Sequence, residues 1–429
     1  MITPEQNRLL TETGPGTPGG KLLRQYWQPI ARSTELPEGS PPVPIRIMSE
    51  DLVMFRDDQG RVGLLGRLCS HRRTDLSYGR IENGGLRCLY HGWLYDVQGR
   101  CLDQPAEPEH STLKCEVKHK AYPCREVSGL IFTYMGEGAP PILPDYEFLR
   151  YDENHRMLSK VYMDCNWLQA IEGNIDPAHL SYLHRPVRPV DARAVPGSTQ
   201  SADAYYRGDT RPTLEYEHTD YGLRIYSIRK SGEREKYVRI TNFIMPNKTA
   251  VVGNEGRIGQ GYQVNWHTPI DDTHHLRFDI AFNRVKPFSI ETNRRTNAVD
   301  ITHDGHLLRN IGNRYQQNRA EMITKNFTGM GGNFIVHDAF AVETPGPIHD
   351  RTQEFLGSTD IMIVAARKQL LAGIQAVQDG KEPMHVIRDE SRNDMSEMVV
   401  RSEVMPVETD HRKFWKNATA SKAALVPGE

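Results

Sequence analysis

The chain has 429 residues, 38 % hydrophobic and 25 % charged, enough for two or three globular domains. Lys and Arg (53) nearly cancel Asp and Glu (55), leaving a formal net charge of -2, which argues against a nucleic-acid or membrane-surface partner. No run nears the roughly 18 apolar residues of a membrane span, and the first residues lack a signal-peptide core. Six cysteines over this length are too few for a disulfide scaffold, so a reducing, cytoplasmic setting is expected.

Residues 1–44 read as an N-terminal helical segment. One helix starts at Pro4-Glu5 and is broken by the Gly/Pro-rich run from Gly14 to Gly20. A second runs from Lys21 towards Trp27 and stops before Pro29. Residues 45–138 alternate short strands and turns, with a hairpin turn at Asp57 to Gly60, and predict a small all-β domain. The proline-rich stretch 139–150 reads as a linker. Residues 151–429 form a second domain. After an opening segment from Cys165 to His184, its strand-like runs (TLEYEHT, LRIYSIRK, EKYVRITNFIMP, TAVVGN, QGYQVNWHTP, HHLRFDIAFNRV) predict a curved antiparallel sheet. Helices are expected at Arg314 to Lys325 and Thr359 to Asp379, the latter stopped by Gly380, and the last ~15 residues are expected to fray. The fold class is therefore α+β.

Two stretches carry chemistry. The first is Arg67 to Arg73 with Arg87 to Trp93, giving Cys69-x-His71, 16 residues, then Cys88-x2-His91. Each half offers one thiolate and one imidazole. A zinc finger usually pairs like with like. Mixed halves suit a Rieske [2Fe–2S] centre, in which one iron takes two Cys and the other two His. Gly92 is expected to let the backbone approach the cluster, and Trp93 to exclude water. Of the other cysteines, Cys115 and Cys124 with His119 lack paired metal spacing; all four, including Cys101 and Cys165, are expected to be buried small apolar residues.

The second stretch is the opening of the second domain, with Asp176-x2-His179-x4-His184. Two imidazoles plus one carboxylate from elsewhere can make a facial site for Fe(II). Asp176-Pro177 reads as a helix start. Positions five apart are splayed on an ideal helix, so a shared metal needs an irregularity such as a π-type turn. The structural alternative is a core helix with two hydrogen-bonded histidines. For the carboxylate, Asp338 in the stretch from Gly331 to Thr344 is the first candidate, with Glu343, Asp350 and Asp360 as competitors.

Cys69-Ser70-His71-Arg72, Cys88-x2-His91-Gly92-Trp93, Asn166-Trp167 and Asp176-x2-His179-x4-His184 together resemble the Rieske non-haem iron aromatic ring-hydroxylating oxygenases, large (alpha) subunit type. The stretches from Gln6 to Pro29 and from Thr344 to Glu354 resemble the phthalate 4,5-dioxygenase branch. The resemblance implies a Rieske domain followed by a catalytic domain of helix-grip type. It also implies His179, His184 and Asp338 as mononuclear iron ligands, since the family's carboxylate precedes a Glu by five, as Asp338 precedes Glu343. Asp176 matches the aspartate that links the iron to a Rieske histidine of the neighbouring subunit, here His91. Ser70 stands where proline is usual, Arg73 where glycine is common, and Glu172-Gly173-Asn174 departs from the family's Glu-Asn.

The implied partners are O2, an NAD(P)H-dependent reductase, and further copies in a head-to-tail trimer or stacked hexamer. Cis-dihydroxylation of an aromatic carboxylate, phthalate-like or a substituted benzoate, is the expected reaction, with O-demethylation of a methoxy-aromatic acid as the alternative. An electron carrier or redox sensor is the remote one. Arg239, in a strand covered on both sides, needs an anionic partner, either a structural ion pair or a substrate carboxylate. Arg207 and Arg211 are looser candidates.

Overall fold

The computed structural model describes residues 2–187, 199–253, 261–288 and 300–413, so the tail expected to fray lies outside the described residues. The chain divides into two compact units. One comprises Glu12–Pro141 with Thr268–Asp272. The other comprises Met1–Thr11, Ile142–His267 and Thr273–Glu429.

The first unit is built from three small sheets. Gln28–Arg32, Leu130–Thr133 and Cys124–Val127 make one; Val43–Ile47, Glu50–Arg56, Val62–Gly66 and Ala121–Tyr122 make the second; Arg80–Glu82, Gly85–Arg87, Leu94–Tyr95 and Cys101–Asp103 make the third. The helix placed from Lys21 towards Trp27 is shifted. It runs Pro18–Leu23, with Pro at its first position and Thr17 Oγ1 accepting from Gly20 N. The chain is extended by Gln28, because Pro29 forbids helix before it. Val53, Phe55, Leu65, Leu76, Leu86 and Tyr95 fill the core, and Cys69 and Cys88 sit against it.

The second unit carries an antiparallel sheet in the order Arg156–Met163, His275–Asn283, Gly261–Pro269, Lys248–Val251, Glu235–Ile244, Gly222–Lys230 and Thr213–His218. Arg401–Pro406 adds to Glu235–Ile244. His275–Asn283 is buried at every position, so both faces are covered. By period two, Leu276, Phe278, Ile280 and Phe282 share one face and Arg277 and Asp279 the other. Helices Trp167–Ile175 and Ile361–Gln378 pack on the sheet, and Trp167–Ile175 also packs on Phe334–Glu343. Asn166 and Asn333 cap two of these helices, accepting from Leu168 N and Ile335 N. Gly173 lets two helices close up, since a Cβ there would lie 3.2 Å from Val342 Cγ1. The helix expected from Arg314 to Lys325 is not continuous. Arg314 and Tyr315 adopt positive φ, leaving a 3-10 segment Ile311–Gln316 and a single turn Glu321–Thr324.

Candidate functional site

The two Cys/His loops of the first unit are built alike. Cys69 N donates to Thr74 O (2.9 Å) and Arg73 N to Cys69 O (2.9 Å); Cys88 N donates to Trp93 O (2.9 Å) and Gly92 N to Cys88 O (3.1 Å). In each loop the fourth residue after the cysteine is left-handed, Arg73 at φ 63° and Gly92 at φ 76°. That accounts for a glycine preference at this place, and Arg73 meets it at a conformational cost. At Gly92 the close approach is to Pro105, whose Cγ would lie 2.8 Å from a Cβ. The loops bury Cys69 and Cys88 and turn His71 and His91 outwards, with ring centroids 4.4 Å apart. Trp93 stacks on His71 at 4.4 Å and 6°. Burial pushes the Cys88 thiol up, and the adjacent Cys69 adds to this. Two inner sulfurs and two outer imidazoles form the donor set of a [2Fe–2S] cluster in which two cysteines hold one iron and two histidines the other.

Tyr95, fully buried, places its hydroxyl 3.2 Å from Cys69 Sγ. Ser70 Oγ lies 2.7 Å from His119 Nδ1, and His119 Nε2 donates to Gly66 O at 2.7 Å. Ser70 thus braces its loop through a hydroxyl strut to a buried histidine. His119 is thereby engaged, and no second metal group forms with Cys115 and Cys124 among the described residues. Cys101 and Cys165 are buried as expected, Cys124 is half-buried, and Cys115 is exposed on the short helix Leu113–Glu116.

In the second unit Asp176 does not start a helix; it ends Trp167–Ile175 as C-cap. Its Oδ1 then accepts from Ala178 N (2.7 Å) and opens a 3-10 turn at His179–Ser181. This turn, followed by the irregular Tyr182, replaces the expected π-type turn. Arg229 braces the segment, donating to Pro177 O (2.8 Å) and Ser181 Oγ (3.0 Å). The rings of His179 and His184 come within 5.1 Å. Asp338 arrives from the Phe334–Glu343 helix, its Oδ1 3.0 Å from His184 Nε2.

His179, His184 and Asp338 each turn one ligand atom inwards, all within 4.8 Å of one another; no other such group occurs among the described residues. Bonds of roughly 2.1 Å at right angles put neighbouring donors about 3 Å apart, so the Asp338–His184 spacing suits a divalent ion. Burial alone would raise the Asp338 carboxyl; His184 and Arg277 hold it well below the usual range. Arg277 Nη1 donates to Asp338 Oδ2 (3.0 Å), leaving Oδ1 for the metal position, and its Nε donates to Asp279 Oδ1 (2.9 Å). Burial, then His184, lowers His179 to about 4, which keeps its imidazole neutral, the form a metal ligand needs. Burial raises Asp176 to about 6; its Oδ2 lies 3.8 Å from His179 Nδ1, which has no hydrogen-bond partner among the described residues. The competing carboxylates are elsewhere. Glu343 is buried against Tyr315, Asp350 caps a turn through Thr352, and Asp360 precedes the last long helix.

A largely apolar cavity of about 240 Å³ is lined by His179 and Asp338 of the triad and by Asp176, Arg277, Val342 and Ile363. Arg239 does not line it. It donates to Tyr206 Oη (2.7 Å) and Val252 O (3.2 Å), and among the described residues no carboxylate pairs with it. Its charge is one of the influences on His179. The structural ion pair weighed for Arg239 is therefore absent among the described residues. Arg207 is half-buried on the helix Thr199–Gly208, and Arg211 is exposed, its N–H on Asp209. The sequence reading did not single out Arg277, Tyr95, Tyr206 or His337. A buried arginine two positions from an aspartate on one strand face was the available signal for Arg277.

A four-donor Cys/His site in a small β unit, with a two-His-one-carboxylate site in a helix-covered antiparallel sheet, defines an oxidoreductase pairing a Rieske cluster with a mononuclear non-haem iron. A model of the Rieske [2Fe-2S] domain matches residues 26–123, and one of the LigXa C-terminal domain like type matches residues 133–426. The chain is 37 % identical to the phthalate 4,5-dioxygenase oxygenase subunit of Pseudomonas putida, over 89 % of this chain and 88 % of that one. It is 32 % identical to the 5,5'-dehydrodivanillate O-demethylase oxygenase subunit of a Sphingobium species, over 96 % and 88 %. It is 31 % identical to the 3-chlorobenzoate-3,4-dioxygenase oxygenase subunit of Comamonas testosteroni, over 88 % and 89 %. The solved structure of dicamba monooxygenase bound to dicamba shares the fold, with a TM-score of 0.58 at 19 % identity over 83 % of this chain and 99 % of that one. The chain belongs to the Rieske non-haem iron ring-hydroxylating oxygenases, as a large subunit of the phthalate 4,5-dioxygenase-like branch.

Proposed function

We propose that the chain is the oxygenase component of a multicomponent system that cis-dihydroxylates a small aromatic carboxylate, phthalate-like or a substituted benzoate. One O2, two electrons and two protons add two oxygens and two hydrogens to the ring. The electrons come from NAD(P)H through a separate reductase. When bound, the cluster and the iron supply electron storage and O2 activation. The chain's residues supply the rest. Cys69, Cys88, His71 and His91 hold the cluster, and His179, His184 and Asp338 hold the iron with positions left for small molecules. Asp176 carries the link from the neighbouring subunit's His91 to His179, in a head-to-tail trimer, alone or stacked as a hexamer.

The observation that carries the substrate class is Arg239. The residue is half-buried and outside the lining of the cavity beside the triad; its guanidinium donates to a phenol and a carbonyl and has no carboxylate partner among the described residues. Such a group is suited to grip a substrate carboxylate. Two relatives named for phthalate and 3-chlorobenzoate support this reading. O-demethylation is the second reading, favoured by the O-demethylase relative that spans 96 % of this chain. Among the described residues no helix is long and apolar enough to cross a membrane. A reducing cytoplasm suits six unpaired cysteines.

The test is product analysis with the iron-replete protein, a surrogate reductase and NADH, on phthalate isomers, chlorobenzoates and methoxybenzoates. A product heavier by two oxygens and two hydrogens is expected. Formaldehyde with a demethylated phenol would replace the first reading by the second. NADH oxidation that no aromatic acid stimulates would remove both.

A further inference from the structure

His184 and His337 lie as nearly parallel rings, centroids 5.4 Å apart at 21°, with their Nδ1 atoms 3.3 Å from each other. For that contact to be a hydrogen bond, one Nδ1 must carry a proton and the other must not. The far side of His337 decides which. Its Nε2 lies 3.0 Å from Gly331 O, and a carbonyl only accepts, so Nε2 holds a proton. His337 is 1 % exposed and no carboxylate among the described residues bonds to it, so its neutral form is the one the surroundings favour. Neutral His337 with a proton on Nε2 presents a bare Nδ1. The proton in the His184–His337 bond therefore belongs to His184 Nδ1. A neutral His184 then has an unprotonated Nε2, the atom that faces Asp338 Oδ1 at 3.0 Å.

The elements that hold this chain of bonds are fixed locally. Gly331 sits at φ 80°, in the turn that leads into Asn333 and the helix Phe334–Glu343. Asn326 Nδ2 also donates to Gly331 O, at 2.5 Å, so the carbonyl is held from two directions. His337 and Asp338 are neighbours on one helix, so the helix that brings the carboxylate also brings the group that orders the proton of His184. Phe334, one turn earlier, stacks on His184 at 4.5 Å and 29° and fixes the plane of its ring.

We propose that His337 is a positioning residue for the mononuclear metal: relayed from Gly331 O, it locks His184 in the Nδ1-protonated tautomer and so presents the Nε2 lone pair to the ion. Without this acceptor His184 divides between two tautomers, one of which blocks the metal position with a proton. Loss of outer-shell partners of this kind lowers metal affinity about 10–100-fold. The inference rests on the assignment of His184 as an iron ligand.

The test uses the full chain with its cluster in place and the mononuclear iron removed, titrated with Co(II) against a competing chelator. His337→Phe keeps an aromatic ring and removes the acceptor. His337→Gln removes the ring and returns an acceptor oxygen. The expected result is Co(II) affinity about 10–100-fold weaker in the Phe variant, with the Gln variant close to the parent and both melting normally. Parent-like affinity in the Phe variant overturns the inference. Equal loss in both variants makes ring packing the cause and also overturns it. If the Phe variant does not fold, His337→Leu takes its place in the same comparison. His184→Ala separates the two levels. Retained Co(II) affinity there refutes the assignment of the triad itself, whereas lost affinity there with a parent-like His337→Phe refutes only the role of His337.

Discussion

At the scale of single residues, what surrounds a ligand matters as much as its identity. Asp338 is told apart from Asp350, Asp360 and Glu343 by where its helix carries it, and by Arg277 occupying its outer oxygen. Asp338→Ala should lose the mononuclear iron, measured by metal analysis, while the visible absorption of the cluster persists; retained iron would move the assignment to another carboxylate. Tyr95 makes a second case. A bound thiolate can only accept, so the Tyr95 hydroxyl would donate to Cys69 Sγ. Such a bond stabilises the more negative, reduced cluster. Tyr95→Phe should therefore lower the reduction potential by some tens of millivolts in a protein-film titration, and an unchanged potential would show that this bond does not reach the metal.

At the scale of elements, the Trp167–Ile175 helix is the anchor of the second unit. Glu172 on it is buried and holds two arginines: Arg351 donates from Nε (3.0 Å) and Nη2 (2.8 Å), and Arg367 from Nε (2.7 Å). Arg367 also pairs with Glu354. This clamp ties the helix to the 344–354 stretch and to Ile361–Gln378, two pieces of chain that the sequence places far away. Glu172→Ala would leave the buried Arg351 without its carboxylate and Arg367 with Glu354 alone, and breaking such a cluster costs about 3–5 kcal/mol, readable as a fall in the denaturant midpoint. Glu343 has the opposite character. Burial raises it to about 7, although Tyr315 Oη and Asp164 N donate to it. A carboxyl raised from 4.5 holds its proton longer in the folded state, so its contribution is intact below pH 4.5 and lost as pH rises through about 7. The stability of the parent relative to Glu343→Gln should fall across that window in melts run against pH; a constant difference would contradict the placement.

At the scale of the whole molecule, the proposed route of electrons runs between copies of the chain. Asp176 lines the cavity and stands 3.8 Å from His179 Nδ1, which has no hydrogen-bond partner among the described residues, as a group awaiting a second partner would. Asp176→Asn should abolish coupled turnover with cluster and iron both still present. Light scattering should give three or six times the 48.9 kDa of one chain. A monomer that turns over at full rate would sink the inter-subunit link.

The sequence alone supplied the four Cys/His donors of the first site and the two histidines of the second, because Cys-x-His with Cys-x2-His and His-x4-His are local patterns, and the family resemblance carried by these motifs supplied the class of protein. Strands Gly222–Lys230, Glu235–Ile244 and His275–Asn283 were legible for the same local reason, through β-branched and aromatic runs. Where the reading failed, the deciding contact was remote or conformational. Asp176 ends one helix instead of starting another. A 3-10 turn, not a π-type turn, brings His179 towards His184, held by Arg229 from a strand 48 positions beyond Ser181. Positive φ at Arg314 and Tyr315 interrupts a helical pattern. Only the tertiary structure decided which carboxylate joins the histidines, that Arg277 restrains it, and that His337 abuts His184. These contacts span 61 positions between Arg277 and Asp338 and 153 between His184 and His337, distances at which no periodicity in the chain carries information.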